Sequence, residues 1–245
     1  MSKSLQDKTT DVWNQVYVDF EPNRPLGIEY PTEALIVHVA NQRKGMSLEN
    51  YYDDKKNEYS IKRDYSGNAL EIGFGTIANL KMVRQKGFQC YGLEVSDEAV
   101  KRGKVFLEKD GINGVELQSW TPPSLPYAEN FFSFVYGMQC IYYNLDLETV
   151  LEEVRRTLVP GGNFLFSFFA DSSGYMKYIE KVDEKVYRWS VDHPNPRLPG
   201  ACFRYLKTEA ELKQLFSKFK DVVVYKTEST RPPMVDAWWY VTGKK

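Results

Sequence analysis

Long apolar runs are missing from this sequence. The two longest, Ala34 to Ala40 and Asn163 to Ala170, fall well short of the roughly 20 residues that a membrane-spanning helix needs, and neither has the flanks of a secretion signal. A cytoplasmic protein without membrane association is therefore expected. Histidine is scarce, with only His38 and His193, and the three cysteines, Cys90, Cys140 and Cys202, are odd in number and far apart. That spacing suits buried thiols in a reducing compartment better than a disulfide framework. No His/Cys cluster has zinc-ligand spacing, so no metal is expected. Excess charge is lacking too: 32 Lys+Arg face 33 Asp+Glu, a net charge of -1. Nothing in that balance draws the chain toward nucleic acid or anionic lipid, and no nucleic-acid partner is expected. Internal repeats and low-complexity linkers are absent as well.

What is present is a chain of 245 residues, 42% hydrophobic, enough for one sizeable core. From Asn68 onward, short β-rich apolar runs alternate with helical patterns, the signature of a parallel sheet covered on both faces. Ala69 to Ile72 reads as a first strand and Thr76 to Lys86 as a helix closed by Gly87. Gln89 to Leu93 is a second strand, and Ser96 caps a helix reaching about Lys109, with Asp97 and Glu98 at its positive end. Val115 to Trp120 and Phe131 to Gly137 are the third and fourth strands. A helix from about Asp146 carries Leu147, Val150, Leu151, Val154 and Leu158 on one stripe. It stops at the turn Val159-Pro160-Gly161-Gly162, before a fifth strand from Asn163 to Phe169. Thr208 and Glu211 form a capping box, and late strands follow at Asp221 to Tyr225 and Trp238 to Thr242.

Two stretches stand outside the alternation. Residues 1–67 are expected to form a helical cap of the same domain. They hold a short helix around Trp13 to Val18, a Pro-rich turn, a helix from Thr32 to about Arg43, a solvated run Asp53-Asp54-Lys55-Lys56 and polar residues through Lys62. Residues 68–245 form the main domain, interrupted by an insertion at 171–206, rich in Tyr, Trp, Lys and Pro, that reads as a lid.

The chemistry-bearing motif is Glu71-Ile72-Gly73-Phe74-Gly75-Thr76-Ile77-Ala78, placed where a strand turns into a helix. Small residues there let a ligand approach backbone N–H groups. Gly73, Gly75 and Ala78 also satisfy the dinucleotide fingerprint, and Glu94 sits where a ribose-binding acid is expected, so the glycines alone leave NAD and S-adenosylmethionine both open. Glu71 favours the second, because a carboxylate there suits a ligand with a cationic amino group and disfavours a pyrophosphate. The residues after the fifth strand leave little room for a separate substrate domain, which disfavours a hydride-transfer enzyme.

Four segments in order, Leu70 to Thr76, Tyr91 to Ser96, Leu125 to Phe132 and Leu158 to Gly162, make residues 68–243 resemble the class I S-adenosylmethionine-dependent methyltransferases. The resemblance implies a Rossmann-like α/β fold with a seven-stranded, mostly parallel sheet in the order 3-2-1-4-5-7-6. It implies S-adenosylmethionine as cofactor and S-adenosylhomocysteine as product. By it, Glu71, Gly73, Gly75 and Thr76 line the methionine and ribose portion, Glu94 accepts from the ribose hydroxyls, and Val95 packs on the adenine. Ser119, in place of the family's usual acid, and Trp120 stand near the adenine amino group. Thr76 replaces a third glycine, and Ser133 stands where the fourth strand often opens with Asp. Gly137, with Met138 and Gln139, lies where donor and acceptor sites meet.

Trp13 and Tyr17, four apart on a helix, pack on the domain or, as the family often arranges, cover the donor. Tyr142, Tyr143 and Asn144 follow the fourth strand, where an acceptor would sit. His193 is a surface histidine or a base near neutral pH, with Asp171 and Tyr142 as other bases for a hydroxyl acceptor. His38, in an apolar helix, reads as structural. The expected partner is a small-molecule acceptor methylated at O or N. Other readings are aminopropyl transfer, a non-catalytic S-adenosylmethionine-binding protein, or an NAD-binding oxidoreductase. Oligomeric state is unreadable.

Overall fold

In a computed structural model, residues 3–18, 30–41, 67–230 and 234–245 are described. A seven-stranded sheet runs through the centre, from β1 (Asn68–Ile72), β2 (Gln89–Glu94), β3 (Val115–Ser119), β4 (Phe132–Gly137) and β5 (Leu158–Phe169) to β9 (Lys220–Ser229) and β10 (Asp236–Lys244). Its order is β3-β2-β1-β4-β5-β10-β9. The first five strands pair in parallel, while β10 is antiparallel to both β5 and β9. Leaving aside three short strands of the insertion, this is the expected order 3-2-1-4-5-7-6.

The central strands are apolar because helices cover them. Phe132, Phe134, Val135 and Tyr136 of β4 are all buried. Helices α3 (Ala78–Gln85), α4 (Asp97–Lys109), α5 (Leu147–Thr157) and α6 (Glu209–Leu215) join the strands. The stripe on α5 is buried as its spacing requires, and Phe216, just past α6, lies against Phe164, Phe166 and Phe168 of β5. Caps read from the sequence are in place: Ser96 Oγ accepts from Ala99 N at 3.3 Å, and Thr208 and Glu211 form the reciprocal box.

Several boundaries differ from expectation. The first helix, α1, spans Leu5–Val18, starting well before Trp13, because Gln6 and Thr9 are held by hydrogen bonds that hydrophobic periodicity does not register. The second, α2, covers Glu33–Asn41, and Arg43 lies outside the described residues. So do the Pro-rich turn, the run Asp53 to Lys56 and the polar stretch through Lys62. Helix α3 begins at Ala78 rather than Thr76, because Ile77 adopts a left-handed conformation (φ 59°). β5 begins at Leu158, with Val159 to Gly162 forming an irregularity between the pairs Phe132–Leu158 and Phe134–Asn163. The late strands are longer than expected.

The insertion at 171–206 is ordered. It forms a three-stranded antiparallel sheet of β6 (Ile179–Lys181), β7 (Val186–Trp189) and β8 (Cys202–Arg204). Trp189 and Phe203 are fully buried. Thr9 of α1 docks on this sheet, its Oγ1 accepting from Cys202 N at 2.9 Å. Gln6 holds the loop after β4, donating to Tyr143 O and accepting from Leu145 N at 2.8 Å. Helix α1, the insertion and the β4 loop are thus joined at the carboxyl ends of the central strands, the place where open α/β sheets bind ligands.

Candidate functional site

The turn after β1 has little freedom. Gly73 has φ +70°, and a Cβ there would lie 2.5 Å from Cys140 Cβ and 2.6 Å from its Sγ. The Cys140 thiol in turn donates to Ile72 O, which ties the turn to the loop after β4. Gly75 (φ +49°) lies beneath Tyr17, whose hydroxyl would stand 3.2 Å from an added Cβ. Ile77 has the left-handed φ that favours glycine, so the position where a third glycine would relieve the backbone is Ile77 and not Thr76.

Glu94, at the end of β2, faces this turn. Its Oε2 accepts from Gly75 N (3.2 Å) and its Oε1 from Val95 N (2.8 Å). Burial pushes its pKa up, countered in part by those backbone N–H groups. A cavity of about 220 Å³ opens here. Gly73, Gly75, Thr76, Glu94, Val95, Trp120 and Tyr17 line it, as does Tyr143.

Other expected residues lie elsewhere. Glu71 sits outside the lining, fully buried, with Oε1 accepting from Asn79 Nδ2 at 2.8 Å. Its Oε2 has no hydrogen-bond partner among the described residues, and neither has the buried Tyr136 hydroxyl. Burial holds the Glu71 pKa well above the usual range. Ser119 is exposed and donates to Asp97 outside the cavity. Gly137 sits behind the lining, where a Cβ would meet Ile72 O at 3.1 Å. Tyr142 belongs to the core, its hydroxyl donating to Gln139 O at 2.9 Å and its ring 4.9 Å from Phe169. His193 is buried in the insertion among Tyr175, Tyr178 and Trp189, with Nδ1 accepting from Asn195 N, and burial lowers its pKa. Asp171 is away from the lining, 3.5 Å from Lys226.

The cavity also gathers Gln6, Thr9 and Thr10, which sequence reasoning passed over. With Trp13 and Tyr17, both expected from the sequence, they present one helical face of α1. Trp13 packs edge-on against Tyr143 at 4.9 Å, and its indole N–H is buried without a partner among the described residues. Asn79 and Thr32 join them, with Thr32 N donating to Asn79 Oδ1 at 2.9 Å. The missed contributions of Gln6 and Asn79 have no motif. A helical face of polar and aromatic residues at spacings of three and four was the available signal for α1.

Residues 70–166 match the family described as methyltransferase domain. This stretch of the chain is a methyltransferase domain. Among curated relatives, the domain is similar to a sterol 24-C-methyltransferase of Gibberella zeae, 29% identical over 57% of this chain and 40% of the relative. It is also similar to norajmaline N-methyltransferase of Rauvolfia serpentina, 26% identical over 61% of this chain and 50% of the relative. The alignments thus cover about half or less of those relatives' own length. The fold of the methyltransferase domain recurs in a solved Methanosarcina mazei methyltransferase (TM-score 0.62, 16% identity, 75% of this chain and 94% of that one). A protein described by the conversion of a disulfide bond into a thioacetal group during echinomycin biosynthesis shares it more fully, over 96% of this chain and 92% of that one (TM-score 0.64, 14% identity).

Proposed function

We propose that this chain binds S-adenosylmethionine in the cavity between α1 and the β1–α3 turn and transfers its methyl group to an O or N atom of a small-molecule acceptor. The observation that carries the reading is the Glu94 carboxylate inside the cavity, anchored on Gly75 N and Val95 N beside a turn that has no room for a side chain at Gly73. The donor set fits the ligand: a carboxylate for vicinal hydroxyls, Val95 and Trp120 for a flat heterocycle, and the unpartnered indole N–H of Trp13 for an anionic or carbonyl oxygen.

In this reading Glu94 fixes the ribose and Gly73 and Gly75 admit the ligand close to backbone N–H groups. Trp13 and Tyr17 cover the site and exclude water. When bound, the sulfonium supplies an electrophilic methyl group, so no protein nucleophile is needed. The chain's task is to hold the acceptor lone pair in line, and in this reading Tyr143, which lines the cavity from the loop after β4, is the residue that contacts it. A small acceptor is supported by the neutral charge balance and by a cavity walled by α1; the insertion contributes no residue to the lining and braces α1 from behind through Cys202 and Thr9. A cytoplasmic location accords with the finding that no described helix is long and apolar enough to cross a membrane.

The test is release of S-adenosylhomocysteine from S-adenosylmethionine in the presence of a panel of small alcohols, phenols and amines. Acceptor-dependent release supports the enzyme. Donor binding without release across the panel would favour a non-catalytic binding protein.

A further inference from the structure

Glu71 is the first acid of the glycine motif, yet its side chain does not reach the cavity. It is fully buried, and its Oε1 accepts from Asn79 Nδ2 at 2.8 Å. Asn79 does line the cavity. Its other end, Oδ1, accepts from the backbone N–H of Thr32 at 2.9 Å. The orientation of this amide is settled by Thr32: a backbone N–H can only take the oxygen, which leaves the NH₂ end for Glu71 Oε1.

Thr32 is where the chain enters α2. Its carbonyl accepts from Leu35 N at 3.0 Å and from Ile36 N at 3.1 Å, opening that helix. Thr32 and Tyr30 form part of the cavity wall. One amide thus joins the floor of the glycine motif to a wall contributed by the N-terminal segment, across a sequence separation that no local pattern marks. Burying a carboxylate is costly, and the bond on its Oε1 is the bond that orients this amide.

We infer that Glu71 is a positioning residue acting through Asn79: it fixes the amide that holds the Thr32 wall against the donor cavity, and does not itself contact the donor. This rests on the donor reading above, and the experiment separates the two. Its readouts are the affinity for S-adenosylhomocysteine and the hydrogen exchange of the Thr32 amide.

Asn79→Asp removes the amide donor to Glu71 Oε1 and sets two acidic groups against each other, and is expected to weaken S-adenosylhomocysteine at least about tenfold and to speed Thr32 exchange. Glu71→Gln keeps an acceptor for Asn79 Nδ2 and gives the Tyr136 hydroxyl a donor, so a loss of about threefold is expected. The double variant, Glu71→Gln with Asn79→Asp, reverses the polarity of the bond, the introduced amide donating to the introduced carboxylate, and is expected to recover affinity to within about threefold of the parent. A carboxylate that held the donor's ammonium directly would behave otherwise. Glu71→Gln alone would then lose about tenfold or more and the double variant would recover nothing, which would overturn the inference.

If Asn79→Asp fails to fold, Asn79→Ala carries the test, with unchanged Thr32 exchange overturning the link. If the parent protein binds no S-adenosylhomocysteine, the donor reading falls, and the Asn79 link is still decided by Thr32 exchange in the free protein.

Discussion

Replacing Gly73 by Ala tests whether the glycine motif is a rigid cradle. Two costs are expected. An alanine at φ +70° costs about 1–2 kcal/mol for the left-handed backbone. Its Cβ would also lie 2.5 Å from Cys140 Cβ, inside a packed turn, and relieving such overpacking costs a further 1–3 kcal/mol or so. Gly161→Ala isolates the first cost, since Gly161 has a similar φ of +75° and nothing within 4 Å of an added Cβ. Urea unfolding should therefore show Gly161→Ala destabilised by about 1–2 kcal/mol and Gly73→Ala by about 2–5 kcal/mol. Ligand affinity should fall for Gly73→Ala alone. Equal destabilisation of the two variants would refute the reasoning, because it would mean that the turn and the Cys140 loop move apart freely.

Three further outcomes follow from particular side chains. Burial lowers the His38 pKa from 6.5 to about 4, in a ring stacked on Phe134 at 5.5 Å. The unfolded chain then takes up the proton first, so stability is lost as pH falls from about 6.5 through 4, by up to about 3 kcal/mol. His38→Phe should remove that part of the acid sensitivity in denaturation at pH 7 and pH 4, and an unchanged pH dependence would contradict the assignment. Trp13→Phe deletes a buried N–H that lacks a partner among the described residues, so unfolding free energy should change by less than about 1 kcal/mol while affinity for S-adenosylhomocysteine drops about five- to tenfold. Unaltered affinity would remove Trp13 from the binding reading. Arg204→Met breaks a two-pronged pair with Glu148 and frees the Leu145 carbonyl that Arg204 also holds, and thermal denaturation should show a loss of about 1–3 kcal/mol.

Much of this architecture is readable from residue order. Alternation and caps locate β1 to β5, α4, α5 and α6, because Ser96, Asp146 and Thr208 act locally on the N–H groups just after them. Glu94 and the glycines are legible for the same reason: a tight turn at a strand end has few chemical solutions. Partners distant in sequence are not. The length of α1 depends on Gln6 and Thr9 meeting residues 137 and 193 positions away, and Asn79 gains its role only from Thr32, 47 positions earlier. Ser119 follows a family position yet turns to Asp97, because the start of α4 brings that carboxylate within reach. Tyr142 and His193 have suitable chemistry, but aromatic packing encloses both.

Calorimetric titration of the parent protein and Glu94→Ala with S-adenosylmethionine, S-adenosylhomocysteine and NAD tests the central claim most directly. The account predicts saturable binding of the first two by the parent protein, no binding of NAD, and at least about tenfold weaker binding by the variant, since a charged acceptor of two hydroxyl hydrogen bonds is lost. Binding of NAD alone, or an affinity indifferent to Glu94, would contradict it.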